Sequence, residues 1–190
     1  MPAPYRVIAF SGSLRAASTN SGLIRLAQRV APPELRVEVL DWVDQLPWVN
    51  PDLETDPPAP VQRWWDELRA ADALIVGVPE YNWGIAPMAK NALDWATRPP
   101  TDRAIAGKVV AFMSSASRSG GEHAQTNMGM ILGFLGATMV VEPPVRLALL
   151  QERFDANGDT DDPEITEAVR AKLHAVLDAL RARDETQVDR

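Results

Sequence analysis

Five short runs dominated by apolar residues punctuate the chain: Tyr5–Phe10, Leu35–Leu40, Ala73–Val78, Lys108–Met113 and Thr138–Glu142. Each has the length and the Val, Ile, Leu and Phe content of a strand, and Leu35–Leu40 alternates as a half-buried strand does. Between them apolar residues return every three or four positions, which predicts helices over Asn20–Val30, Val61–Ala71, Pro87–Thr97, Glu122–Leu135 and Pro163–Arg183. The ends of these segments carry matching signals. Ser18 or Thr19 caps the first helix, Pro87 opens the third, Pro99-Pro100 stops it, Gly136 closes the fourth, and Asp162 caps the last ahead of Pro163-Glu164. Asp41–Pro60 reads as a proline-rich loop, the stretch from Glu142 to Phe154 has no clear period, and Asp184–Arg190 reads as a disordered tail.

Five strands, each followed by a helix, predict an α/β fold: one doubly wound parallel sheet in a single domain over residues 1–183. In such sheets ligands lie beyond the carboxyl ends of the strands, where strand order reverses. The loops after strands one, three and four are therefore where chemistry is expected.

The first of these loops, Ser11–Ser18, joins a strand to a helix through hydroxyls, one glycine and one arginine. A helix N-terminus offers unpaired N–H groups and the positive end of a dipole. Ser13, Ser18, Thr19 and Asn20 add neutral donors, and Arg15 adds a planar, charged fork of donors. This suits a phosphate. Neither Gly-Lys-Ser/Thr nor Gly-x-Gly-x-x-Gly is present, so a triphosphate loop and the usual dinucleotide fingerprint are both disfavoured, and a terminal monophosphate such as that of FMN fits better. The plainer alternative is a serine-rich turn with a helix cap.

The loop after the third strand carries Pro79-Glu-Tyr-Asn-Trp83. Gly-Ser-Leu-Arg-x-x-Ser-x-Asn at Gly12–Asn20, Pro-Glu-Tyr-Asn at Pro79–Asn82 and Lys90-Asn-Ala-Leu-Asp-Trp95 together resemble the NADPH-dependent FMN reductase family, over nearly the whole chain from Tyr5 to the last helix. The resemblance implies a flavodoxin-like sheet of order 2-1-3-4-5, bound FMN, and NADPH or NADH as electron donor. It also implies ping-pong transfer to a small acceptor (a flavin, quinone, azo compound or metal oxyanion) and a homodimer or homotetramer. Under it, Ser13, Arg15, Ser18, Thr19 and Asn20 hold the phosphate. Pro79, Glu80, Tyr81, Asn82 and Trp83 lie along the flavin ring, and Ser115 and Ser117 reach its pyrimidine end, with Arg118 placed to help offset the cofactor's charge. Trp83 stands where smaller residues are common in the family, and His123 where many members carry an arginine. The hydride step needs no side-chain acid or base. An electron carrier without its own NAD(P)H oxidation and a flavin-free sensor or scaffold are the alternatives.

Composition narrows the partners. A net charge of -7 argues against nucleic acid or an anionic membrane. The absence of cysteine excludes a disulfide framework and a thiol nucleophile, and fits a cytoplasmic protein. No basic region precedes a long apolar stretch, so no signal peptide or membrane span is expected. Asp155–Asp162 resembles a calcium loop for a few residues, but its glycine is misplaced and Thr166 stands where the closing Glu belongs, so it reads as a turn. Trp42, Trp48, Trp64, Trp65 and Trp95 are expected in the core, at a rim or at subunit contacts.

Overall fold

The structure, a computed structural model, describes residues 3–188. Five parallel strands form the sheet: β1 (Tyr5–Ser11), β2 (Leu35–Val39), β3 (Ala73–Gly77), β6 (Val109–Ala116) and β7 (Thr138–Ala148), in the order β2-β1-β3-β6-β7. A two-stranded hairpin, β4 (Glu80–Tyr81) and β5 (Gly84–Ile85), stands between β3 and β6 in the chain. Counting only strands of the large sheet, this is the flavodoxin-like order 2-1-3-4-5.

The apolar runs become parallel strands because both of their faces are covered. Ile8, Phe10, Leu74 and Val76 point to one side, into a core with Trp64, Trp65 and Leu68 of α2 (Ala59–Ala70), Trp95 of α3 (Pro87–Ala96), and Met128 and Leu132 of α4 (Glu122–Phe134). Val7, Ala9, Ala73 and Ile75 alternate to the other side, against Leu23, Ile24 and Leu26 of α1 (Thr19–Val30) and Val169, Leu173 and Val176 of α5 (Pro163–Val188). Four of the tryptophans, Trp42, Trp64, Trp65 and Trp95, are buried; Trp48 and Trp83 are not. Among the described residues no helix is long and apolar enough to cross a membrane.

Two elements differ from the sequence pattern. The edge strand β7 continues through Pro143 and Pro144 to Ala148, with its pairing to β6 shifted between Val140 and Val145. Prolines are tolerated there because an edge strand needs fewer N–H donors. Lys172 of α5, only 1% exposed, fills the irregularity and donates from Nζ to the carbonyls of Val140 (3.1 Å) and Val141 (2.7 Å). Helix α5 runs through Val188, so the segment from Asp184 is helical where the sequence pattern suggested a disordered tail; residues 189–190 lie outside the described residues. The anchor is Asp184, whose carboxylate accepts from Tyr5 Oη at 2.7 Å and is held below its ordinary pKa by that bond and by Arg183. A long-range contact of this kind leaves no trace in local periodicity.

Candidate active site

At the carboxyl end of β1 the chain folds its serines back onto itself. Ser11 Oγ accepts from the Ser13 N–H (3.2 Å), Ser13 Oγ from the Arg15 N–H (3.3 Å), and Ser18 Oγ from the Ser21 N–H (3.3 Å), which caps α1 as the sequence predicts. The N–H groups of Thr19 and Asn20 and the Arg15 guanidinium take no protein partner among the described residues. A built loop with unspent donors is the result. On its far side Gly158, at φ +77°, lies so close to α1 that a Cβ on Gly22 would sit 1.7 Å from its carbonyl oxygen, which places the 155–160 loop beside the first turn of the helix.

Asn20 has a different task from its neighbours. It is buried, its Nδ2 donates to the Ser115 carbonyl at 2.9 Å, and its Oδ1 accepts from the Ser115 N–H at 3.1 Å. Both ends of the amide bond the backbone of one residue of β6, so the side chain works as a brace and the Asn20 backbone N–H stays unpaired among the described residues. This bridge fixes the loop after β1 against the end of β6. Ser115 Oγ, in turn, is buried and has no hydrogen-bond partner. A buried hydroxyl left in that state costs free energy unless something else supplies the bond.

The hairpin after β3 supplies the next wall. Asn82 (φ 51°) and Trp83 (φ 62°) occupy both central positions of its two-residue turn, a geometry that ordinarily favours Asn-Gly. Glu80 turns its carboxylate toward α4. Its carboxylate accepts from Ser119 Oγ and from the Ala124 N–H (3.0 Å), and lies 3.4 Å from His123 Nδ1, with the side chain 6% exposed. Burial pushes the Glu80 carboxyl up, but the bonds from Ser119, Ala124 and His123 outweigh it and hold the pKa below its ordinary value. His123 also stacks flat on Trp83, with ring centroids 4.7 Å apart. Glu80, His123 and Trp83 thus lock the hairpin to the N-terminus of α4.

The loops after β1, β3 and β6 meet around a cavity of about 440 Å³. Ser13, Arg15, Ser18, Thr19, Asn20, Pro79, Glu80, Tyr81, Ser115 and Ser117 line it; Asn82 and Trp83 do not, being at the hairpin tip on the α4 side. Arg118 is exposed and also lies off the cavity. The sequence pattern missed Gln151, Phe154, Asp155 and Gly158 on the opposite wall. Asp155 turns its carboxylate back on its own loop, accepting from the N–H groups of Asn157 (2.8 Å) and Asp159 (2.9 Å), and these bonds hold its pKa down. That is the turn which the Asp155–Asp162 sequence suggests, and the displaced glycine of the calcium-like pattern, Gly158, is the signal that could have placed it against α1.

The site fits a phosphate-bearing flavin on its own terms. It offers an uncommitted guanidinium and two helix N-terminal amides at one end, an orphaned buried hydroxyl at the other, and the apolar face of Tyr81 between loops. Fold and site together define a flavodoxin-like oxidoreductase that uses FMN. The sequence profile of the NADPH-dependent FMN reductases matches residues 5–149, and the chain belongs to that family. It is similar to the NAD(P)H-dependent FMN reductase of Pseudomonas aeruginosa, with 37% identity over 90% of this chain and 92% of the relative. It is also similar to a probable NADPH:quinone oxidoreductase of Oryza sativa, with 38% identity over 90% of this chain and 87% of the relative. Among solved structures, the flavoenzyme NAD(P)H:(acceptor) oxidoreductase FerB of Paracoccus denitrificans superimposes with a TM-score of 0.83 at 30% identity, covering 94% of this chain and 98% of that one.

Proposed function

We propose that this protein oxidises NAD(P)H through bound FMN and passes the electrons by a ping-pong route to a small acceptor at the same flavin face. One observation carries the reading: the three strand-end loops converge on a single cavity whose donors are unspent where a phosphate and a ring carbonyl would need them. Arg15 clamps the phosphate by charge-assisted hydrogen bonds, assisted by the N–H groups of Thr19 and Asn20 and the hydroxyls of Ser13, Ser18 and Thr19. Pro79 to Tyr81 lie along the ring. Ser115 Oγ and Ser117 donate at the pyrimidine end, where preorganised donors favour the developing negative charge as an oxyanion hole does. When bound, FMN supplies the hydride chemistry itself. The chain's work is to bind, orient and polarise it, and no side chain needs to move a proton in the hydride step.

The protein is proposed to act as a homodimer or homotetramer in the cytoplasm; the support for assembly is the exposed apolar Met130 and Phe134 on α4. A fluorescence titration with FMN and with riboflavin tests the site. FMN is expected to bind much more tightly, and equal affinities would show that the loop after β1 does not hold the phosphate. Initial rates at several fixed acceptor concentrations are expected to give parallel reciprocal plots, because donor and acceptor take turns over one flavin.

A further inference from the structure

A second cavity of about 440 Å³ adjoins the first and shares Arg15 and Tyr81 with it. Its walls include Leu14, Pro47, Trp48, Tyr81 and Met88, and Trp48, which unlike Trp42 of the same loop is left out of the core, is 71% exposed. The segment that carries it is held in place: Asn91 Oδ1 accepts from the Val49 N–H at 2.9 Å, Asn91 Nδ2 donates to the Pro47 carbonyl at 3.0 Å, and Trp95 Nε1 donates to that same carbonyl at 2.7 Å. The backbone on both sides of Trp48 is therefore pinned to α3 by a buried amide and a buried indole, while the ring itself stays in solvent. Fixing an aromatic plate in advance removes much of the ordering cost that a partner would otherwise meet.

Charge restricts what the plate receives. Arg15 is the only basic residue on this cavity, and Asp44 stands on the same wall. A dinucleotide, with its several phosphates, finds one cation already assigned to the flavin phosphate and a carboxylate beside it. A neutral, flat ring finds apolar surface. We infer that Trp48 is a specificity-determining residue that selects planar, uncharged acceptors by stacking, and that Asn91 is its positioning residue. This rests on the FMN-dependent reading above and assigns the far wall of its acceptor site.

The test is equilibrium binding of 1,4-naphthoquinone to the oxidised, FMN-loaded protein by calorimetry without reductant, so that no turnover occurs. Removing an aromatic stacking partner costs about 5- to 150-fold in affinity. Trp48→Ala should weaken binding by that factor, Trp48→Phe should recover most of it, and Asn91→Ala should raise the KM for naphthoquinone more than it lowers kcat. Unchanged affinity in Trp48→Ala, together with normal bleaching of the flavin by NADPH, would overturn the Trp48 assignment and leave the reductase reading standing. A wild-type protein whose flavin is not bleached and which shows no saturable naphthoquinone binding would overturn both.

Discussion

The contact between Asn20 and Ser115 offers a sharp test of how the site is built, because a single side chain there holds two of the three loops together. Asn20→Ala removes two hydrogen bonds, of 2.9 and 3.1 Å, both in buried surroundings, and leaves the N–H and carbonyl of Ser115 without their partner. Each buried group left unpaired costs about 1–3 kcal/mol, and partial access of water to the adjoining cavity offsets some of this, so a net loss of about 2–4 kcal/mol is expected. A chain of 190 residues unfolds with an entropy of about 0.4 kcal/mol/K, so the midpoint should fall by about 5–10 °C. Differential scanning calorimetry of the flavin-free protein measures this directly. Affinity for FMN should fall as well, since the Ser115 hydroxyl and the Thr19 amide would no longer be held in register. Asn20→Asp keeps the acceptor for the Ser115 N–H but sets a carboxylate against the Ser115 carbonyl, and should be at least as damaging near neutral pH. An Asn20→Ala protein with unchanged midpoint and unchanged FMN affinity would refute the idea that this amide organises the site.

Three further outcomes follow from the same geometry. Arg15→Ala should weaken FMN about ten- to a hundred-fold, as loss of a charge-assisted bond implies, with most of the rate recovered at saturating FMN; a rate that stays low at full occupancy would place Arg15 near the reacting ring instead. Ser115→Ala should leave the flavin-free protein as stable or about 1 kcal/mol more stable, because it removes an unpaired buried hydroxyl, yet lower its affinity for FMN; calorimetry and titration on one sample separate the two effects. Burial pushes the Lys172 ammonium down from 10.5 to about 8, so between those values the unfolded chain holds a proton that the folded chain does not, and stability from this group rises with pH. The stability of Lys172→Met relative to wild type should therefore shrink by about 3 kcal/mol from pH 8 to pH 10.5 in denaturant titrations, and no pH dependence would mean the amine stays charged inside.

The fold was legible because its strands are buried on both faces and its helices on one, so the two periods separate cleanly along the chain. Tyr5–Phe10 and Ala73–Val78 need no tertiary information to be read as central strands. The cavity was legible in part for a related reason: a strand followed by Gly12, Ser13, Arg15 and a capped helix is local chemistry, and the structure keeps Ser18 as the cap. What local pattern could not convey is how side chains are spent. Asn20 looks like one more donor in a polar loop, and only the approach of Ser115, 95 residues later, turns its amide into a brace. Glu80 sits within the most recognisable motif of the chain, yet its carboxylate serves α4, because Ser119, Ala124 and His123 converge on it. The hairpin escaped notice since Trp83 occupies a left-handed position where glycine is the usual signal. Trp48 is the converse case, an apolar residue that composition alone would assign to a core or rim and that the bonds of Asn91 and Trp95 hold in the open.

The proposed function requires that the cavity hold FMN in a form that NAD(P)H can reduce and an acceptor can reoxidise. Visible spectra of the purified protein with one equivalent of FMN, recorded anaerobically, decide this. Addition of stoichiometric NADPH or NADH is expected to bleach the bound oxidised flavin completely, and subsequent addition of a quinone is expected to restore it with the nicotinamide already released. A protein that fails to bind FMN, or whose bound flavin stays oxidised in the presence of both nicotinamide donors, would contradict the central claim.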